Sequence, residues 1–254
     1  MIYYNQNNYS NYKYPSSSNP KATIKTGGCG VTVMAMVVSN MTTTKLTPPE
    51  CAKISINNGA RVSGGTDMAK LSKVICQKYP LMYTTTNDES KLQQHLLNGG
   101  MAIANVGGNR KGWTGVFSDG GHYIVVCGYN RTTHKATIMD PGYYSGKFNN
   151  AARKGRVNVS GNYCYATLET LHFDTYNRNP NYYLFSRTKK YVVNCKEADL
   201  AADGKIYIRG GSGKEYVINP INGNILVNGR VVSRNDSNYK HTLVALNADT
   251  GKNF

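Results

Sequence analysis

Three residues in this 254-residue chain have the types and spacing to cut an acyl bond. Cys29 stands in TIKTGGCGVTVMAMVV, between Gly28 and Gly30, where an apolar run begins. A thiol attacks as its thiolate. A helix N-terminus lowers a thiol pKa, because it offers about half a positive charge and unpaired N–H groups. Gly27, Gly28 and Gly30 would clear room for a substrate carbonyl, and the Cys29 amide would face the developing oxyanion. Taken alone, Cys29 reads at least as well as an ordinary buried thiol.

A nucleophile needs a base, and the chain has five histidines. His95 (QQHLLNGG) and His134 (NRTTHK) are expected to face solvent, His172 (TLHFDTY) is ambiguous, its neighbours permitting a structural role, and His241 reads most simply as a strand or loop residue. His122 follows two glycines and opens the apolar run HYIVVCGYN, so a strand start would hold it rigidly with space beside it. Asp140, in MDPG, ends the next β-rich run, KATIM. In an antiparallel hairpin the end of the second strand lies beside the start of the first. The 18 residues from His122 to Asp140 suit two strands of about seven and a turn, so topology alone brings the pair together. Asp140 can then orient the imidazole through its far nitrogen, and it can also be an Asp-Pro-Gly turn former.

The three motifs T-I-x-x-x-G-C-G, G-G-H-Y-I-V-V-x-G-Y and M-D-P, in this order, resemble the papain-like cysteine peptidases. The similarity is greatest to the bacteriocin-processing type and its free-standing relatives in phage and bacterial lysins. It covers about residues 2–188. It implies that Cys29 is the nucleophile, His122 the general base and acid, and Asp140 the orienting carboxylate. The family also places a glutamine upstream to complete the oxyanion hole. Here YYNQ offers Gln6, which reads equally as a solvated arm residue, with 22 residues between it and the cysteine. One departure is Val31, where relatives often carry Pro.

The elements that must position these residues are visible as periodicities. Residues 29–40 are apolar nearly all round, which marks a helix buried on most sides. Thr47 with Pro48 and Pro49 starts a second helix; Met68, Leu71, Val74 and Ile75 mark a third; Leu92, Leu96 and Leu97 mark a fourth, stopped by Gly99-Gly100. The period then turns to strands at MAIANVG, HYIVVCGYN and KATIM. Helices followed by antiparallel strands predict an α+β domain over 1–190, and the resemblance implies a papain-like fold for it. Residues 1–22 read as an extended arm, and 141–180 as irregular with one helix near Thr167–Tyr176. NYYLFSRT reads as a closing strand. Five short strand-like runs over 191–254 predict a small all-β module, weakly similar to Src-homology-3-like wall-binding domains.

Charge narrows the partners. The net charge is +16, and residues 1–190 hold 22 Lys and Arg against 8 Asp and Glu. That excess predicts attraction to a polyanion, with teichoic acid or anionic glycan preferred over nucleic acid, because no nucleic-acid-reading motif is present. No apolar run reaches the ~20 residues of a bilayer span, so membrane insertion is not expected. MIYYNQNNYSNYKYPSSSNP lacks a secretory pattern. Synthesis in a host bacterial cytoplasm is therefore expected, with release through a holin or carriage on a virion. The six cysteines form no C-x-x-C pair and read as reduced thiols; no metal or cofactor is expected. The function expected is a phage-type lysin that hydrolyses peptide or amide bonds of peptidoglycan. The same machinery acting on a protein substrate, by hydrolysis or acyl transfer, is the main alternative. A wall- or nucleic-acid-binding protein with a degenerate site is the other.

Overall fold

The computed structural model describes residues 1–187 throughout and, beyond them, the backbone of short strands between 191 and 253. The chain divides into two compact units, Met1–Arg187 and Thr188–Phe254.

The first unit opens with an arm carrying a 3₁₀ turn at Gln6–Tyr9. Its helices are α1 (Ile24–Gly27), α2 (Cys29–Met41), α3 (Pro48–Asn57), α4 (Met68–Lys78), α5 (Glu89–Leu97) and α6 (Leu168–Thr175). Its strands are β1 (Arg61–Val62), β2 (Gly65–Thr66), β3 (Leu81–Thr86), β4 (Met101–Val106), β5 (His122–Asn130), β6 (Lys135–Met139), β7 (Asn158–Ser160), β8 (Tyr163–Thr167) and β9 (Tyr182–Arg187). β3 to β9 form one seven-stranded sheet in the order β3-β9-β4-β5-β6-β8-β7. Every neighbouring pair in it is antiparallel.

α2 is the central helix. Val31 and Val33 to Val38 are fully buried, so it packs on α3 behind and on β5 and β4 in front. Removing each of these valine and methionine side chains from water stabilises the fold by roughly 1.5–3 kcal/mol, which is why α2 needs no polar face. A second apolar cluster on the other sheet face joins Leu92, Phe117, Ile124, Leu171 and Tyr182, with α5 and α6 covering it.

Three expectations change. The arm is not an overlay: Tyr14 is fully buried, its hydroxyl bonded to Ser55 and Thr66 at 2.7 and 2.9 Å. Residues 141–180 hold two strands, β7 and β8, which extend the sheet past β6. β9 does not close an edge but runs between β3 and β4, which pairs LMYTTT into the sheet as an edge strand.

In the second unit, β11 (Glu197–Leu200), β12 (Ile206–Arg209), β13 (Glu215–Ile218), β14 (Ile225–Val227) and β15 (Arg230–Ser233) pair consecutively and antiparallel. β16 (Val244–Asn247) pairs in parallel with β10 (Tyr191–Asn194) and antiparallel with β17 (Lys252–Asn253). The rest of the predicted all-β module, with His241 and Cys195, lies outside the described residues.

Candidate active site

Cys29 is the first residue of α2, and the turn before it is built to put it there. Thr23 and Thr26 form a capping box on α1, and Gly28 then breaks the helix at φ −101°, ψ 16°. The Gly28 carbonyl accepts from the Thr32 N–H and hydroxyl at 3.0 and 2.8 Å. The flanking glycines are closely packed. A Cβ on Gly28 would lie 2.6 Å from the Ile24 carbonyl oxygen, and one on Gly30 would lie 2.6 Å from Thr66 Cβ. They let α1 fold onto α2 and let α2 press against β2. Among the described residues the Cys29 N–H donates to no protein acceptor.

His122 opens β5 and Asp140 follows β6, and the two side chains meet across the sheet. His122 Nε2 lies 2.8 Å from Asp140 Oδ1, with Asp140 fully buried. That contact leaves Nδ1 free of Asp140, and His122 and Cys29 lie near enough for each to shift the other's titration. The backbone N–H groups of Tyr123 and Gly30 also favour the thiolate. The structure thus brings Cys29, His122 and Asp140 together in one row. Room at the ring comes from Gly142: a Cβ there would lie 3.2 Å from His122 Cε1. The space expected at Gly121 is instead taken by Arg178, whose Nη2 would lie 2.7 Å from a Cβ.

The charges follow from this geometry. Burial alone would push the Cys29 thiol up, but the hydrogen bond and charge of His122, with the two N–H groups, hold it below its ordinary value. Burial alone would push His122 down; its bonds to Asp140 and Cys29 and their charges carry it to about 9. Burial would likewise raise Asp140, yet His122 and the Lys147 ammonium hold it at about 2. A thiolate–imidazolium pair on an ionised carboxylate is the state these shifts favour.

Gln6 reaches the same place through the arm. Its N–H donates to Pro141 at 2.7 Å, one residue past Asp140, and its Nε2 donates to the Lys25 carbonyl at 2.8 Å, on the turn that leads into Cys29. Its second amide hydrogen has no acceptor in that pairing, and its Oε1 is buried without a partner. Two neighbours tie the arm down further. Tyr3 Oη donates to the Asp140 carbonyl at 2.7 Å, and Asn5 Nδ2 donates to the Tyr143 carbonyl at 2.7 Å. A cavity of about 250 Å³ opens beside His122, lined by Gln6, Ser118, Asp119, Gly142, Tyr144 and Lys147 among others.

The loop entering β5 is clamped by Asp174 of α6. Its carboxylate accepts from Trp113 Nε1 and from the Val116 and Phe117 N–H groups at 2.7–2.9 Å. Neither Asp174 nor Lys147 stood out in the sequence. Nothing in YYSGKF distinguishes Lys147 from the other lysines of a basic chain.

The remaining histidines separate clearly. His95 is not solvated: its Nε2 contacts the Met101 and Phe185 carbonyls at 3.1 and 2.9 Å, and burial lowers its pKa. His134 sits exposed in the β5–β6 turn with φ 53°. His172 contacts Phe173 and Tyr176 edge-on. Among the described residues no His, Cys, Asp and Glu cluster could hold a metal ion, and none of the five described cysteines is in a disulfide.

A search of curated proteins returns no match. A solved structure from Bacillus anthracis, described as a C39-like peptidase, is similar with a TM-score of 0.43 and 13% identity, over 63% of this chain and 88% of that one. The sequence pattern of the Peptidase_C39-like family matches residues 1–168, about two thirds of the chain. With that match spanning Cys29, His122 and Asp140, the chain belongs to the Peptidase_C39-like family of papain-like cysteine peptidases.

Proposed function

We propose that this protein is a phage-type lysin that hydrolyses peptide or amide bonds of bacterial peptidoglycan through a thioacyl-enzyme. The observation that carries the chemistry is the His122 ring, held by Asp140 at 2.8 Å on one nitrogen and coupled to Cys29, which shifts its titration. The Cys29 thiolate attacks the scissile carbonyl carbon, and the carbonyl oxygen becomes an oxyanion. The Cys29 N–H and the second Gln6 amide hydrogen stabilise it. His122 gives its proton to the leaving amine, which departs as the C–N bond breaks. It then takes a proton from water, whose oxygen attacks the thioester and releases the acid and the thiolate, restoring the thiolate–imidazolium pair. Asp140 keeps the imidazole in the tautomer and orientation that both transfers need.

The choice of substrate rests on charge. An excess of 14 basic side chains over residues 1–190 favours approach to anionic wall polymers. Residues 191–254 are assigned the anchoring role. Turbidity loss of a Gram-positive cell-wall suspension, blocked by iodoacetamide, tests the proposal, and mass spectrometry of the released muropeptides names the bond. Walls left intact while a denatured protein is cleaved would overturn it in favour of a protein substrate.

The oxyanion role of Gln6 has its own expected result. Gln6→Ala removes one donor to the oxyanion and is expected to lower the clearing rate by roughly 10²–10³-fold. Alkylation of Cys29 needs no oxyanion donor, so its rate should stay within about threefold of wild type. A variant that clears walls at the wild-type rate would return Gln6 to a purely structural place in the arm.

A further inference from the structure

The buried end of the Cys29–His122–Asp140 row carries a cation that the three-residue mechanism does not call for. Lys147 is 6% exposed, and its Nζ lies 2.5 Å from Asp140 Oδ2 and 3.4 Å from the Gly142 carbonyl. A lysine is rarely buried unless paired. This one is held in place by its own segment. Gly142 N–H donates to Asp140 Oδ1, Tyr143 N–H donates to the Asp140 carbonyl, and Lys147 N–H donates to the Tyr144 carbonyl. The neighbouring Phe148 ring anchors the segment in the core against Phe117 and Tyr143.

We propose that Lys147 is a positioning residue that closes a four-charge row of alternating sign, Cys29–His122–Asp140–Lys147, fixing the Asp140 carboxylate and damping its pull on His122. This rests on the thiol mechanism proposed above. Two physical effects follow from the contact. Oδ1 is already engaged by His122 and Gly142, so without Lys147 the fully buried Oδ2 would have no donor and the carboxylate plane less constraint. The row is also neutral with Lys147 and carries one buried negative charge without it. An unopposed carboxylate would bind the imidazolium more tightly, and an imidazolium held too tightly protonates the leaving amine poorly.

No neighbouring group can take over. Tyr3 and Cys164 near Asp140 stay neutral, pushed up by burial. Arg61 lies on the Cys29 side, where it is bonded to the Tyr14, Val62 and Gly65 carbonyls. Asp119 and Arg153, in the cavity beside His122, are paired with each other at 2.6 Å. Tyr123, beside Cys29, is likewise kept neutral by burial.

The test is the pH profile of Cys29 alkylation by iodoacetamide, which needs no wall substrate, run beside wall clearing. Lys147→Met removes the charge, and Lys147→Gln removes it while keeping a donor for Oδ2, which serves if the methionine variant does not fold. In either folded variant the upper inflection of the profile is expected to rise by about half a pH unit or more. Clearing at neutral pH is expected to fall by roughly ten- to a hundredfold. A folded variant whose inflections match wild type overturns the proposal, whatever its loss of stability or rate. That failure is distinct from failure of the mechanism itself, which would appear as alkylated wild-type enzyme that still clears walls.

Discussion

Cys29→Ala is expected to leave no wall clearing above background, a loss of about 10⁵-fold or more, because the acyl acceptor itself is gone. The variant should fold. Cys29 sits at the start of α2, outside the Val31–Val38 stretch that fills the core, and alanine is the best helix former. Cys29→Ser sharpens the argument. A serine hydroxyl keeps nearly the same shape but does not ionise against His122, so the thiolate–imidazolium pair cannot form. Activity at neutral pH is expected to stay at least about 10³-fold below wild type. The check is clearing rate beside thermal unfolding of both variants. Retained clearing in Cys29→Ala with an intact fold would remove the thioacyl mechanism altogether.

Much of this site was legible in the sequence because its parts are joined by local rules. Strand periodicity located β5 and β6, and a short turn between antiparallel strands forces the start of one against the end of the other. The His122–Asp140 neighbourhood was therefore a matter of topology, and the structure puts their side chains 2.8 Å apart. α2 was equally plain, since an all-apolar helix has to sit inside. The glycines around Cys29 stood out, but their packing did not. Their spacing fits a substrate path and close packing alike, and the packing shows only in the positions of Ile24 and Thr66.

What stayed hidden depends on contacts between distant segments. Tyr3 reaches the Asp140 carbonyl across 137 positions, and Asn5 reaches Tyr143 across 138. An arm of Asn, Tyr and Ser has no periodicity to announce such contacts, so it reads as surface. Lys147 is hidden differently. It lies seven residues from Asp140, close in sequence, but composition gives no sign that one lysine of a basic chain is buried. β7 and β8 escaped notice because their strands are short and rich in Asn, Ser and Tyr, with stability supplied by pairing onto β6 rather than by an apolar pattern.

Asp140→Asn is expected to lower activity at neutral pH by about 10³–10⁴-fold. The sign of the effect follows from what holds the His122 proton. In the wild type, burial works against the imidazolium, and the bond and charge of Asp140 reverse that to give a value of about 9. An asparagine supplies no charge, and its amide group can present a donor where His122 needs an acceptor. Burial then prevails, His122 falls toward or below its ordinary 6.5, and the imidazolium that held the Cys29 thiolate is lost at neutral pH. Wild-type activity should therefore decline as pH rises through about 9, whereas in Asp140→Asn that alkaline limb should disappear and iodoacetamide should react slowly with Cys29 at pH near 7. Stability moves in the same sense. The raised His122 value contributes stability that is fully present below 6.5 and lost as pH rises through about 9. The depressed Asp140 value contributes stability present above 3.8 and lost as pH falls through about 2. The substitution also strands the buried Lys147 ammonium, so combining it with Lys147→Met should restore stability relative to Asp140→Asn alone, while leaving activity low. Equilibrium unfolding of the single and double variants, read beside their alkylation profiles, separates the two roles of this carboxylate: holding the imidazole for catalysis and neutralising the lysine behind it.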